Sequence, residues 1–298
     1  LEWGIDSLKA VLLNFETEII FKDKITPRED TLEEYQKLSF ELIEKYRKKL
    51  DDQNKIIGIG LGIHGLVDPK QGKSLFTPHF EWGEVDIKNI IAEKYDYPIF
   101  IDNDVRMMAS GEIWQGRDDF IYINTGSGIG AALVFKSELH YGNNFAAGEF
   151  GHIKITDDGP LCHCGKSGCL EALASKESII KRYQLEKKLK GRTEFQEIMR
   201  DYQNNDQKTV EIIDDALKYF ARAIADLVNI LNPEAVIIGG LFAEYEEIFI
   251  EPIFDLVKKE ALDQAVEDLK ILTPYYQEFA GAAGAAEKVL NDFFELKL

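Results

Sequence analysis

The sequence predicts an α/β protein of two domains. Short apolar strands alternate with helical stretches from end to end. Glycine-rich loops follow several of those strands, the place where open α/β sheets bind ligands. The length, 298 residues, makes two domains at about 150 residues each.

Taken in order, Thr31-Leu32-Glu33-Glu34 has the form of a capping box and opens a run of Leu32, Tyr35, Leu38, Leu42 and Tyr46 at helical spacing. That spacing predicts a helix to about Leu50, followed by a polar turn from Asp51 to Lys55. Ile56 to Ile63 reads as a buried strand whose glycines mark a close approach to its backbone. Pro98 to Asp102 is a second strand. Phe120 to Asn124 and Ala131 to Phe135 are two more, joined through Thr125-Gly126-Ser127-Gly128-Ile129-Gly130. Ile213, Ala216, Leu217, Phe220, Ile224, Leu227 and Val228 place a helix over Val210 to Leu231, stopped by Asn232-Pro233. A strand, Ala235 to Ile238, meets Gly239-Gly240, and helices follow to the C-terminus. A domain boundary is expected near Asn103.

Composition narrows the function classes. Hydrophobic residues at 45% suffice for packed cores and exclude a disordered chain. Apolar runs are short, so none spans a membrane, and the N-terminus lacks the basic and apolar regions of a signal peptide; a cytoplasmic protein is expected. A formal net charge of −18 repels phosphate backbones. The densest basic cluster, Lys187 to Arg192, is too short to offset it. Contacts to DNA would therefore need a module outside these 298 residues. The charge otherwise serves solubility.

The 3 cysteines, Cys162, Cys164 and Cys169, are an odd and tightly clustered set, which excludes a disulfide framework. With His152 they give His-x9-Cys-x-Cys-x4-Cys, three thiolates and an imidazole suited to a closed, structural Zn²⁺ site. His163 is the alternative fourth ligand, and buried, metal-free thiols are the plain alternative. Four protein ligands leave no open position for catalysis. Zinc would instead tie the Glu149-Phe150-Gly151-His152 turn to Cys169-Leu170-Glu171.

Gly148-Glu149-Phe150-Gly151-His152, the cysteine loop and Gly168-Cys169-Leu170-Glu171-Ala172 together resemble the signature of the ROK family (repressors, open reading frames, kinases). Gly62-Ile63-His64-Gly65-Leu66-Val67-Asp68 resembles its first sugar-side turn, and Asn103-Asp104 its Asn-Asp pair. Gly126-Ser127-Gly128-Ile129-Gly130-Ala131 resembles its second phosphate loop, and Asn232-Pro233-Glu234 through Gly239-Gly240 its adenosine-side motif. The resemblance implies an actin-like (ribonuclease H-like) two-domain fold with a sugar in the cleft, a zinc loop in the second domain, and a homodimer. It returns the last helix, from about Phe279, to the first domain, giving 1–103 plus 279–298 and 104–278. Carried over residue by residue, the sugar site is Gly65, Thr77, Asn103, Asp104, Glu149, His152 and Glu171. The chemistry suits a monosaccharide of the glucose or xylose class, because carboxylates are strong acceptors for vicinal hydroxyls. His152 could hold zinc with one ring nitrogen and donate to a hydroxyl with the other. In a kinase Asp104 would be the general base. Trp82 either stacks on the sugar ring or packs in the core.

Family kinases open with a strand and an Asp-x-Gly-Gly-Thr loop that cradles the phosphates of Mg-ATP. Here Gly4-Ile5-Asp6-Ser7-Leu8-Lys9-Ala10-Val11 has no Gly-Gly-Thr and looks roughly four residues short of wrapping phosphate with its amides. The nucleotide side is then a degenerate set of Asp6, Gly126, Ser127, Gly128, Gly239 and Gly240. Asn103-Asp104-Val105-Arg106 departs from the kinases' Asn-Asp-Ala-Asn and is similar to repressors of the xylose-repressor type. The expectation is a sugar-binding effector domain of a transcriptional regulator, whose winged helix-turn-helix is not among these residues. An ATP-dependent sugar kinase of the glucokinase type, favoured by retention of Asp104, and a vestigial binding protein are the alternatives.

Overall fold

The computed structural model describes residues 1–50, 55–77 and 82–295. Its internal contacts divide the chain into two compact units. One is Leu1–Asp118 with Ala132–Ala147 and Pro274–Leu298; the other is Asp119–Ala131 with Gly148–Thr273. The boundary expected near Asn103 falls at the start of a helix that belongs to the first unit.

The first unit opens with β1 (Glu2–Trp3), β2 (Leu8–Leu13), β3 (Ile19–Ile25) and α1 (Leu32–Arg47). It continues through β4 (Ile59–Ile63), β5 (Leu66–Asp68), β6 (Lys73–Phe76), α2 (Ile87–Ala92), β7 (Ile99–Asn103) and α3 (Asp104–Trp114). Its sheet has the order β3-β2-β1-β4-β7. β1 to β3 are antiparallel neighbours, and β4 runs parallel to both β1 and β7. Thr31 caps α1 as expected, its hydroxyl accepting the Glu34 N–H at 3.3 Å, while the Glu34 carboxylate pairs with Lys37. Trp3, Tyr35, Leu42, Tyr46, Leu61 and Ile101 form the core under this sheet. Trp82 packs edge-on against Trp3 and Tyr35, ring centroids 5.9 and 5.7 Å apart, which makes it a core aromatic. The strand expected from Ile56 begins only at Ile59, and the polar turn expected from Asp51 lies outside the described residues but for Lys55.

The chain then runs through β8 (Phe120–Thr125), β9 (Ile129–Phe135), β10 (Glu138–Leu139), α4 (Leu170–Ala174), α5 (Lys176–Lys187), α6 (Phe195–Gln203) and α7 (Gln207–Leu231). After these come β11 (Ala235–Gly240), α8 (Leu241–Glu244), α9 (Glu246–Glu260), α10 (Asp263–Val266), β12 (Lys270–Leu272) and α11 (Ala280–Glu295). The second sheet has the order β10-β9-β8-β11-β12, with β11 parallel to β8 and β12. α7 starts three residues before Val210, because the Asp206 carboxylate caps it by accepting the Thr209 N–H and hydroxyl at 3.1 and 2.7 Å. It ends at Asn232, whose left-handed φ of 45° is the usual helix exit before a proline. Phe220 of α7, Phe242 and Phe249 pack in the core of this unit in tilted and edge-on contacts.

α11 belongs to the first unit and lies on α3 and β4. Here the glycine pattern of β4 has its cause: a Cβ on Gly60 would collide with the Ala285 carbonyl of α11. Among the described residues, no helix is long and apolar enough to cross a membrane.

Candidate functional site

β1 ends at Trp3, and the Gly4 N–H donates to the Ser7 carbonyl at 3.1 Å, closing a four-residue turn before β2 pairs back through Trp3↔Leu8 and Glu2↔Lys9. The acid on the strand is therefore Glu2, buried at 3% exposure, while Asp6 stands exposed in the turn. The turn Gly4-Ile5-Asp6-Ser7 carries one glycine, a branched residue and a carboxylate, and has no Gly-Gly-Thr. Lys9 Nζ lies 2.9 Å from Glu2 Oε1.

Asn103 and Asp104 sit where β7 turns into α3. The Asn103 side-chain oxygen Oδ1 caps α3, accepting the Val105 and Arg106 N–H groups at 3.0 and 3.1 Å. Its amide nitrogen donates to the Gly65 carbonyl at 2.9 Å and to Asp104 Oδ1 at 3.0 Å. Those bonds use two donors and two lone pairs, so Asn103 ties the Gly65 turn to the helix start. Gly65 has φ +104°, and a Cβ there would run into the Phe76 carbonyl beside Thr77, which is itself buried. Burial pushes the Asp104 carboxyl up to about 6, with the Val105 N–H and the Lys9 ammonium pulling the other way. His64 Nδ1 lies 3.9 Å from Asp104 Oδ2.

In the second unit, Phe150–His152 forms a short 3-10 turn, and Glu149 before it is exposed. His152 has Nε2 3.8 Å from Glu149 Oε2 and Nδ1 3.9 Å from Glu171 Oε1. Glu171, buried in the first turn of α4, accepts the Ile129 N–H on Oε2 at 3.0 Å. Its Oε1 lies 2.7 Å from His163 Nε2. The two carboxylates expected to work together thus differ, Glu149 open and Glu171 held by protein groups.

The cysteine loop is a hairpin: Cys162 N–H donates to the Lys166 carbonyl at 2.8 Å, and Leu170 N–H to the Ile153 carbonyl at 3.0 Å. His152, Cys162, Cys164 and Cys169 offer ligand atoms all within 4.8 Å of one another. His152 Nδ1 is 3.7 Å from Cys162 Sγ, and Cys164 Sγ is 3.6 Å from Cys169 Sγ. A tetrahedral zinc with Zn–S bonds of about 2.3 Å sets its sulfurs about 3.8 Å apart, so the four residues fit a metal ion of that kind. Cys162, His163 and Glu171 form a second possible group that shares Cys162. Burial pushes the Cys162 thiol up to about 12, so a bound cation must displace its proton.

The glycine loops of the expected nucleotide side come together on β8 and β11. Gly126 N–H donates to the Gly128 carbonyl at 2.8 Å. Gly239 and Gly240 pair with Asn124 and Thr125 across the strands, and Gly240 has φ +71°. Sequence reasoning passed over Thr125, whose hydroxyl donates to the Gly239 carbonyl at 2.7 Å and accepts the Phe242 N–H at 3.2 Å. Ser127 lies in the Gly126–Gly128 turn. Asp6 belongs to the first unit.

Two α/β units, an Asn-Asp helix start, paired glycine loops and a loop of one histidine and three cysteines define an actin-like two-domain protein of the sugar kinase type of fold. The chain belongs to the ROK family, whose model matches residues 1–291. It is 32% identical to the xylose repressor of Caldicellulosiruptor bescii over 98% of this chain and 77% of that one. It is 29% identical to the glucokinase of Halalkalibacterium halodurans over 80% of this chain and 78% of the enzyme. A crystal structure of a ROK family transcriptional regulator, a homologue of the Escherichia coli MLC protein, superposes with a TM-score of 0.84 at 27% identity, covering 99% of this chain and 78% of that one.

Proposed function

We propose that this chain is the monosaccharide-binding effector part of a ROK transcriptional regulator and transfers no phosphate. The observation that carries this reading is the first turn. A phosphate cradle needs several amides free of side-chain bulk and negative charge. Gly4-Ile5-Asp6-Ser7 offers one glycine, a branched side chain and a carboxylate, and the Gly4 amide is occupied by the Ser7 carbonyl. Phosphoryl transfer rests on positioning and charge stabilisation, so one lost phosphate loop of two is severe. The extent of the match to the xylose repressor supports the same reading.

In this reading Gly65, Thr77, Asn103, Asp104, Glu149, His152 and Glu171 form the sugar site, and the ligand is of the glucose or xylose class. A structural zinc ion on His152, Cys162, Cys164 and Cys169 fixes the turn bearing Glu149 and the helix bearing Glu171. The protein works as a homodimer and reaches DNA through a module outside these residues. Gly126, Ser127, Gly128, Gly239 and Gly240 are remnants of an adenosine and phosphate site, and Asp6 is no ligand in it.

One observation favours a second reading, a glucokinase-type enzyme: Asp104 is buried with its carboxyl near 6, as suits a general base. The experiment that separates them is ADP release from Mg-ATP in the presence of D-glucose or D-xylose. The effector reading expects no sugar-stimulated release; steady turnover would overturn it and make Asp104 a catalytic base.

A further inference from the structure

We infer that Arg106 is a positioning residue for the sugar site, and this rests on the sugar-binding reading above. Arg106 is 4% exposed, so it touches no ligand itself. Its guanidinium joins three segments that lie apart in sequence. Nε donates to Asp102 Oδ1 at 2.6 Å, just before Asn103-Asp104. Nη2 donates to the Val67 carbonyl at 3.1 Å, two residues beyond Gly65. Nη1 donates to the Phe145 carbonyl at 3.0 Å, in the strap that runs from Tyr141 into Gly148-Glu149.

The strap is built around this clamp. Ala147 N–H closes it onto the Tyr141 carbonyl at 3.2 Å. Tyr141 donates its hydroxyl to Asp102 Oδ2 at 3.1 Å, and the Arg106 guanidinium lies over the Tyr141 ring, 5.2 Å from its centroid. Phe145 has φ +62°, a left-handed conformation that an aromatic residue keeps only where its surroundings impose it. Gly142 and Gly148, with φ +71° and +94°, are the strap's turning points.

A cation this close to a helix N-terminus opposes the helix dipole, and a buried ion pair is poor stabilisation for its desolvation cost. A core built for stability alone would be served better by apolar residues at positions 102 and 106. What apolar residues cannot supply is a planar fork of donors reaching two carbonyls and a carboxylate at once. Arg106 therefore holds the Gly65 turn, the Asn103-Asp104 helix start and the strap from Tyr141 to Ala147 in one mutual arrangement.

The test uses the full chain with two variants. Arg106→Lys keeps the charge and loses the fork. The double variant Asp102→Asn with Arg106→Met removes both charges together, so no buried ion is left unpaired. Amide hydrogen exchange is read in peptides spanning 140–148 and in α7 as control, with D-xylose and D-glucose titrated by calorimetry. The expected result is faster strap exchange in both variants, unchanged exchange in α7, and affinity for the bound sugar lower by about 10- to 100-fold, the usual scale for outer-shell supports. Unchanged strap exchange, or faster exchange with wild-type sugar affinity, overturns the inference. Wild-type protein that binds neither sugar refutes the sugar reading itself; faster strap exchange would then mark Arg106 as a purely structural clamp, and positioning is overturned.

Discussion

Replacing Asp104 with asparagine should make the ligand-free protein more stable while weakening its hold on sugar. The carboxylate is 7% exposed, and burial lifts its pKa from 3.8 to about 6. An amide of the same shape can still accept the Asn103 amide and the Val105 N–H, both now at 3.0 Å. It carries no charge to desolvate. At about 1.4 kcal/mol per pKa unit, a rise of about two units corresponds to about 3 kcal/mol against the ionised form. The folded state binds this proton more tightly than the unfolded one, so wild-type stability falls as pH rises from the ordinary 3.8 through about 6. The variant lacks that loss. Differential scanning calorimetry from pH 4 to 8 should show the two proteins level at the acid end. The gap should open through the window and flatten above about pH 6 at up to about 3 kcal/mol, several degrees in Tm. Sugar affinity should fall about 10- to 100-fold, the scale of one hydrogen bond to a charged group. A variant less stable than wild type at pH 8, or a gap independent of pH, would refute the burial argument.

Two further outcomes follow from the same physics. Cys164→Ser or a strong chelator should remove one equivalent of zinc and lower the Tm, with sugar affinity falling alongside; elemental analysis showing no zinc in the wild type would contradict the closed site of one histidine and three cysteines. Glu287 of α11 is fully buried, with Oε1 accepting the Tyr276 hydroxyl at 2.7 Å, and burial raises its carboxyl to about 8. Its proton is held in the folded state, so Glu287→Gln should gain on wild type as pH climbs from 4.5 through about 8. Denaturant unfolding at pH 5 and pH 9 checks this: equal differences at both would show that Glu287 does not titrate in the fold.

Much of the framework was legible because local rules decided it. The capping box at Thr31, the helix stop at Asn232-Pro233 and the strands beside Gly126 and Gly239 are set by residues adjacent in sequence. The β2–β3 hairpin was missed: its edge strand β3 has no fully buried residue and alternates half-buried with exposed ones through charged positions such as Lys22 and Lys24, a weak apolar signal. In the first loop, residue types alone do not say which acid lies on the strand; the pairing of Glu2 with Lys9 sets that register. At the site, residue types could nominate Asn103, Glu171 and the cysteines, but not their occupation. Asn103 commits its amide to the helix cap and Gly65, while Glu171 is gripped by Ile129 and His163. The Arg106 clamp was invisible for a simpler reason. Two of its partners are backbone carbonyls, at Val67 and Phe145, which any residue could supply.

The most direct test of the central claim is calorimetric: titrate D-xylose and D-glucose into the protein, then Mg-ATP into the sugar-saturated complex. The account predicts heat of binding for at least one sugar and none for Mg-ATP, because Ile5 and Asp6 occupy the phosphate loop. Binding of Mg-ATP to the sugar complex would contradict it.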